Sequence, residues 1–273
     1  MAFSINTNVN AMNANLNATM SSNSLDKSLA LLAAGVKDAA ASDAAGLSIA
    51  NGMSAQVSGM GQAIQNSNES IGMLQVADGA MGGINDNMQR VRDLTIRASN
   101  GTMSDSDRAS IQKEIDGLMK STNDIVNSTS YNGINLLDGT GGSNADGTFV
   151  TQTGANAGET QSVTIDNVNS LISPVDVTTQ EGRDAALNNI DQTMKNLSDV
   201  QSTIGSAQNQ LASSVRNTYI TQNNTAAAES QIRDVDFAKE SANFSTQNLL
   251  SQAGVFAQSQ ANLSSASVSG LIA

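Results

Sequence analysis

Cysteine and histidine are both absent from this chain of 273 residues. Without cysteine there is no disulfide and no thiol nucleophile, so stability must come from packing or assembly. Without histidine the commonest general base and metal ligand are missing, and a zinc site built on His and Cys is excluded. Tryptophan is also absent and aromatics make up only 3%, whereas a thick globular core leans on large aromatic side chains. A single proline, Pro174, leaves the helical stretches free of obligatory kinks. No stretch approaches the roughly 18 unbroken apolar residues of a membrane span. Basic residues number 13 against 25 acidic ones, a net charge of −12. That balance argues against nucleic acid, which needs clustered Lys and Arg, and against anionic lipid. The N-terminus lacks the basic start and apolar run of a cleaved signal peptide, so export is expected to read an uncleaved end. Acidic residues sit singly in helical patterns, and the close pair Asp234/Asp236 reads as a helix start or as solvated charge. The chain is not expected to be an enzyme, and no cofactor or metal is expected.

What the chain does have is helical periodicity. Ile5, Val9, Met12, Leu16 and Met20 recur at three- to four-residue steps, continuing through Leu25, Leu29, Leu32 and Val36. At the other end Phe237, Phe244, Leu250, Phe256 and Leu263 recur at mostly six- to seven-residue steps. Each end reads as a long helix with one narrow apolar seam in a coat of Asn, Ser and Gln. A helix cannot bury its own seam; the other end of the chain, a second copy, or both must cover it. Between the ends, Met53 to Leu94 carries a heptad-like seam, implying a helix from about Leu47 to Ala98, roughly 75–80 Å long. Glycines within it, such as Gly59 and Gly72, suggest close backbone approach and dependence on packing. Asn100-Gly101 ends it. Ser104 to Asp107 is close to a capping box for a third helix reaching about Asn127. Tyr131-Asn132-Gly133 and Asp138-Gly139 are turn signals, and Thr148 to Thr153 and Ser162 to Asp166 read as a hairpin. This segment reads as a surface excursion between helical halves. The seam returns from about Glu181 through Leu187, Ile190, Met194, Leu197, Ile204, Leu211 and Val215. A polar gap at Gln222 to Thr225 then precedes a last helical block from Ala226. The expected fold is mainly α: a long antiparallel helical hairpin or coiled-coil bundle with a small β-hairpin excursion.

Four stretches are more specific. Ser28-Leu29, Leu32 and Gly35, with Ser42 to Ala50 (SDAAGLSIA), come first; Met88 to Leu94 (MQRVRDL) follows. Tyr131 to Gly139 (YNGINLLDG) and Ala228 to Glu240 (AESQIRDVDFAKE), extended by Asn248 to Gly254, complete the set. In order and spacing these resemble bacterial flagellin, the subunit of the flagellar filament, over nearly the whole chain. The resemblance implies that residues 1–43 with 226–273 form an inner tube of helices. Residues 44–225 then form a helical outer layer containing the β excursion at about 129–180. It further implies a helical homopolymer that gives motility. The implied site is extracellular, and the implied export route is the flagellar type III channel. Flagellar cap and hook-junction proteins and an export chaperone are implied partners. With so few residues between the helical halves, the chain resembles a minimal flagellin without variable outer domains.

The implied polymerisation seam comprises Ile5, Val9, Met12, Leu16, Leu25, Leu29, Leu32, Phe237, Phe244, Leu250, Phe256 and Leu263. By the same resemblance Gln89, Arg90, Leu94 and Glu114 occupy positions that contact the vertebrate Toll-like receptor for flagellin. Read without the resemblance, Arg90 and Glu114 are ordinary exposed helix charges and Leu94 is seam. The chain departs from the family at Leu31, Ala33, Ala34 and at Val36 to Ala39, where an arginine and two hydroxyls are lost, and in its polar tail Ser264 to Gly270. A hook–filament junction protein, which shares related terminal helices, is the alternative. Adhesion through the excursion and O-glycosylation of its Ser and Thr residues are weaker readings. A metalloprotease insert of the His-Glu-x-x-His type fails for want of histidine.

Overall fold

A computed structural model describes residues 7–37 and 43–272. Six helices follow in order among these residues: α1 (Val9–Ala34), α2 (Ala44–Ala98), α3 (Asp105–Ser128), α4 (Val168–Leu171), α5 (Gln180–Arg233) and α6 (Phe237–Ile272). Between α3 and α4 lie β1 (Ser130–Tyr131), β2 (Ile134–Asn135), β3 (Thr148–Gln152) and β4 (Thr160–Thr164). The strands form two separate antiparallel hairpins, β1–β2 and β3–β4. The chain divides into two compact units, Met1–Ser54 with Ala226–Ala273, and Ala55–Thr225.

In the terminal unit, α1 begins where the Asn8 side chain accepts a hydrogen bond from the Ala11 amide at 3.0 Å. It ends at Gly35, whose left-handed φ of 69° lets its amide reach the Leu31 carbonyl. α1 and α6 pack against each other as an antiparallel pair. Near one end of the pair Asn8 Nδ2 donates to the Ala261 carbonyl at 2.9 Å. Further along, a Cβ added to Gly254 would lie 2.9 Å from Ala18 Cβ. After α1 the chain pairs with the segment that separates α5 from α6. The Lys37 amide donates to the Arg233 carbonyl and the Val235 amide to the Gly35 carbonyl. Lys37 Nζ also reaches the Gln231 carbonyl at 3.0 Å, so a cation covers free carbonyls at a helix C-terminus. Asp43 then caps α2, accepting from the Gly46 amide at 2.8 Å.

This joint corrects one expectation. The polar stretch Gln222 to Thr225 is not a gap, because α5 runs through it to Arg233. Four polar residues without Gly or Pro leave the backbone hydrogen bonds intact. Gln222 even secures its helix, donating to the Val57 carbonyl at 3.0 Å. The break falls at Asp234–Asp236, where Asp236 accepts from the Lys239 amide and starts α6.

In the central unit, α2 and α5 run antiparallel. Asn85 Nδ2 bonds Gln201 Oε1 at 2.8 Å and Arg92 Nε bonds Asp191 Oδ1 at 2.8 Å. The seam of α2 is buried from Leu74 through Met81, Ile84, Met88 and Val91. It meets Ile190, Leu197, Ile204 and Leu211 from α5 and Ile111 and Ile115 from α3 in one cluster. Leu187 and Met194 are only partly buried, while Ala186, Thr193 and Arg183 face inward. The expected capping box at the start of α3 is present, with Ser104 and Asp107 bonding reciprocally. These bonds hold the Asp107 carboxyl below its ordinary value of 3.8. From α3, Arg108 reaches back to the Ala98 and Asn100 carbonyls and closes the end of α2.

The excursion is more than a surface feature. Leu136, Leu137, Ile165, Val168 and Val177 are buried and belong to the same core cluster as the helices. Their uneven spacing carries no helical or strand period, yet all pack into the cluster. β1–β2 turns at Asn132-Gly133, with φ of 51° and 77°, the left-handed pair that an Asn-Gly dipeptide supports. The return segment after α4 is gripped from two sides. The Gln112 amide both donates to the Val175 carbonyl and accepts from the Val177 amide, and buried Arg183 donates to the Val177 and Thr178 carbonyls.

Candidate assembly interface

The two terminal helices leave most of their large apolar side chains uncovered by each other. On α1 the residues turned toward α6 are mostly small: Ala11, Ala14, Ala18, Ser21 and Ser28. They recur at steps of three, four and seven, a heptad in small side chains. The facing residues of α6 include Phe244, Gln247, Ser251, Gly254, Gln258 and Ala261. Small residues let two helix backbones approach closely, as the Gly254–Ala18 crossing shows. At 100° per residue, Val9, Met12, Leu16 and Met20 lie on the opposite side of α1, and all four are exposed.

The single seam expected along α1 is therefore two. The five-residue step from Met20 to Leu25 carries the pattern round the helix. Leu25 and Leu32 are partly buried on the α6 side, whereas Leu29 is exposed. Ile5 lies outside the described residues. On α6 the expected seam disperses, because a six-residue step turns the helix through 600°. Phe244 is half-buried toward α1, while Phe237, Leu250, Phe256 and Leu263 spread over the outer surface with Leu249 and Val255. Leu249 and Val255 join this surface although they lie off the six- to seven-residue spacing of the other four. Phe256 is 73% exposed. Together with the outward side chains of α1 these α6 residues put far more large apolar surface in water than a soluble monomer ordinarily shows. The surface between the helices is grooved: Met20 and Leu250 line one open groove, and Met12 and Leu16 another.

The second set of candidate residues lies in the central unit. Arg90 and Glu114 form an ion pair across α2 and α3, with Arg90 Nη2 2.6 Å from Glu114 Oε1, and both are about half-exposed. Gln89 is exposed beside them. Leu94 is 2% exposed and sits in the core cluster, so it offers a partner almost no surface. Among the described residues no group of acidic side chains is arranged to hold a metal ion, and no helix is long and apolar enough to cross a membrane.

The chain is similar to known proteins along most of its length. The profile of the bacterial flagellin N-terminal helical region matches residues 5–142, and that of the C-terminal helical region matches residues 187–272. The chain is 35% identical to a flagellin of Halalkalibacterium halodurans, over 94% of this chain and 95% of that one. It is equally 35% identical to a Bacillus subtilis flagellin, over 94% and 96%. Among solved structures, a Bacillus cereus flagellin superposes with a TM-score of 0.52 at 25% identity, covering 56% of this chain and 88% of that one. A hook-associated protein from Vibrio parahaemolyticus shares the fold, with a TM-score of 0.57 at 18% identity over 70% of this chain and 99% of that one. Matched at both helical ends and across nearly its full length, the chain belongs to the bacterial flagellin family, whose members are structural subunits of the flagellar filament.

Proposed function

We propose that this subunit polymerises through the outward faces of α1 and α6, with Val9, Met12, Leu16, Leu29, Phe237, Leu250, Phe256 and Leu263 buried by neighbouring copies. The inversion of the terminal pair carries the reading: small and polar residues are spent on the intramolecular contact, and large apolar ones are left in water. The hydrophobic effect then favours many copies side by side. Leu25, Leu32 and Phe244 serve the pair itself. In this reading residues 1–43 and 226–273 build the inner tube and residues 44–225 the surrounding layer. The filament lies outside the cell, reached through the flagellar export channel, with cap, hook-junction and chaperone proteins as partners along the way. Salt-induced polymerisation of purified protein, followed by sedimentation and electron microscopy, tests the reading. Tubes of constant diameter are expected, and Leu16→Asp is expected to abolish them while leaving the monomer's helicity intact. Tubes formed as readily by Leu16→Asp would refute it.

A second reading concerns Gln89, Arg90 and Glu114. Their exposure on adjacent helices, with Arg90 and Glu114 already paired, presents a compact polar patch that suits the vertebrate Toll-like receptor. Binding of monomer to the receptor ectodomain, lost in Arg90→Ala, is the expected result; unchanged binding by that variant would remove the reading. A role as hook–filament junction protein is the less favoured alternative, because the shared fold with the Vibrio protein comes with only 18% identity.

A further inference from the structure

Eleven methionines occur in the chain, and the structure sorts them sharply. Met60, Met81 and Met88 are buried. Met53, Met73, Met103, Met119 and Met194 are partly covered. Among the described residues only Met12 and Met20 are exposed, at 63% and 60%. Both lie on the outward stripe of α1, one on either side of Leu16, and each lines one of the grooves between α1 and α6. With no cysteine anywhere, these two thioethers are the most accessible sulfur atoms among the described residues.

We infer that Met12 and Met20 are oxidation sites that control assembly: their sulfoxides block polymerisation, and reduction restores it. The inference rests on the assembly face proposed above. The reaction balances with a peroxide as oxidant. The sulfur lone pair attacks the nearer peroxide oxygen, the O–O bond breaks, and the departing hydroxide takes the remaining proton to leave as water. The product is a sulfoxide, and the peroxide is reduced by two electrons. A flexible apolar side chain becomes a polar one. In the monomer this costs little, because both side chains already stand in water. In an assembled interface the new S=O is an acceptor carried into apolar surroundings, and burying it without a donor is unfavourable. Each subunit carries the change twice on one stripe. Assembly in turn shields the sulfurs, so free subunits are sensitive and assembled ones are protected.

The test uses full-length protein treated with dilute hydrogen peroxide, with peptide mass mapping and sedimentation as readouts. Sulfoxide is expected at Met12 and Met20 at least tenfold faster than at Met81 and Met88. The critical concentration for polymerisation should rise roughly tenfold or more. Treatment with the two stereospecific methionine sulfoxide reductases should restore it. The Met12→Leu/Met20→Leu variant should polymerise equally well before and after peroxide. Preformed polymer should oxidise at these positions several-fold more slowly than monomer. Oxidised wild-type protein with an unchanged critical concentration would overturn the inference, as would a double-leucine variant that loses assembly on peroxide as the wild type does. If untreated protein forms no polymer at all, the assembly face and this inference fall together; if it polymerises and oxidation has no effect, only this inference falls.

Discussion

Two truncations of large apolar residues separate the two jobs that apolar surface does in this chain. Leu197 is fully buried between α2 and α5. Leu197→Ala removes buried methyl groups and leaves a cavity, a change that costs about 2–5 kcal/mol. For a unit of this size that corresponds to a fall in Tm on the order of 10 °C. Phe256 keeps 73% of its surface in water, so Phe256→Ala should leave monomer stability within about 0.5 kcal/mol. Full burial of a Phe side chain contributes about 1.5–3 kcal/mol. With about three-quarters of that still available, its loss from a subunit contact should cost ~1–2 kcal/mol, or roughly 5–30-fold in critical concentration. Thermal melts of dilute monomer read the first quantity, and sedimentation of polymer across a concentration series reads the second. Leu197→Ala should shift the melt strongly, whereas Phe256→Ala should shift only the critical concentration. The reasoning fails if Phe256→Ala lowers the monomer melt as far as Leu197→Ala does, or if its critical concentration equals that of the wild type.

Gly254→Ala should loosen the α1–α6 pair despite a gain in helix propensity of about 1 kcal/mol, because the new Cβ would stand 3.1 Å from the Ala18 backbone Cα as well as 2.9 Å from its Cβ. Amide exchange in both helices should quicken, and adding Ala18→Gly should reverse the effect. Arg183→Leu should destabilise the central unit by about 2–4 kcal/mol, since it strips donors from the Val177 and Thr178 carbonyls; calorimetry and exchange at residues 175–179 check this. The Asp107 carboxyl is held below 3.8 by hydrogen bonds from Ser104, first from its side chain and then from its backbone. Its contribution is therefore complete above pH 3.8 and is lost as pH falls through the depressed folded-state value. Exchange at the first turn of α3 should rise only in acid, and Asp107→Ala should show the faster exchange already at neutral pH.

The central helices were legible because large apolar residues recur there at heptad steps and are buried within the same molecule. From Leu74 to Leu94 the α2 seam lies in the core. Legibility failed where burial uses residues that a hydropathy search ignores. The α1 face that meets α6 is written mostly in alanine and serine, with Leu25 and Leu32, whereas the legible pattern of Val9, Met12, Leu16 and Met20 lies on the opposite side. Arg183 and Thr193 are buried on the α5 stripe because they serve carbonyls of the return segment and the Leu171 carbonyl, a need that sequence spacing does not display. The α5–α6 break at Asp234–Asp236 is illegible for a related reason. Polarity alone does not end a helix. The end at Arg233 comes from residues nearly two hundred positions away, where Gly35 and Lys37 take up the backbone groups around Asp234.

The inverted pair has a thermodynamic consequence. A helix pair that hid Val9, Met12, Leu16 and Phe256 inside would be stable alone and would offer its neighbours little. Packing alanine, serine and glycine inside gives close backbones but little apolar area, so the pair gains little free energy on its own. In the proposed assembly its ordering is linked to the binding of further copies and rises with subunit concentration. In that reading weak self-contact and strong mutual contact come from the same residue pattern, and moving the large side chains inward would weaken the second as it strengthened the first. A variant with Ala14→Leu and Gln247→Leu on the inner faces and Leu16→Gln and Phe256→Gln outside tests that trade. It should give a terminal pair at least as helical as the wild type at micromolar concentration, together with loss of polymer. Polymerisation undiminished by the exchange would show that the outward residues are not what holds the copies together.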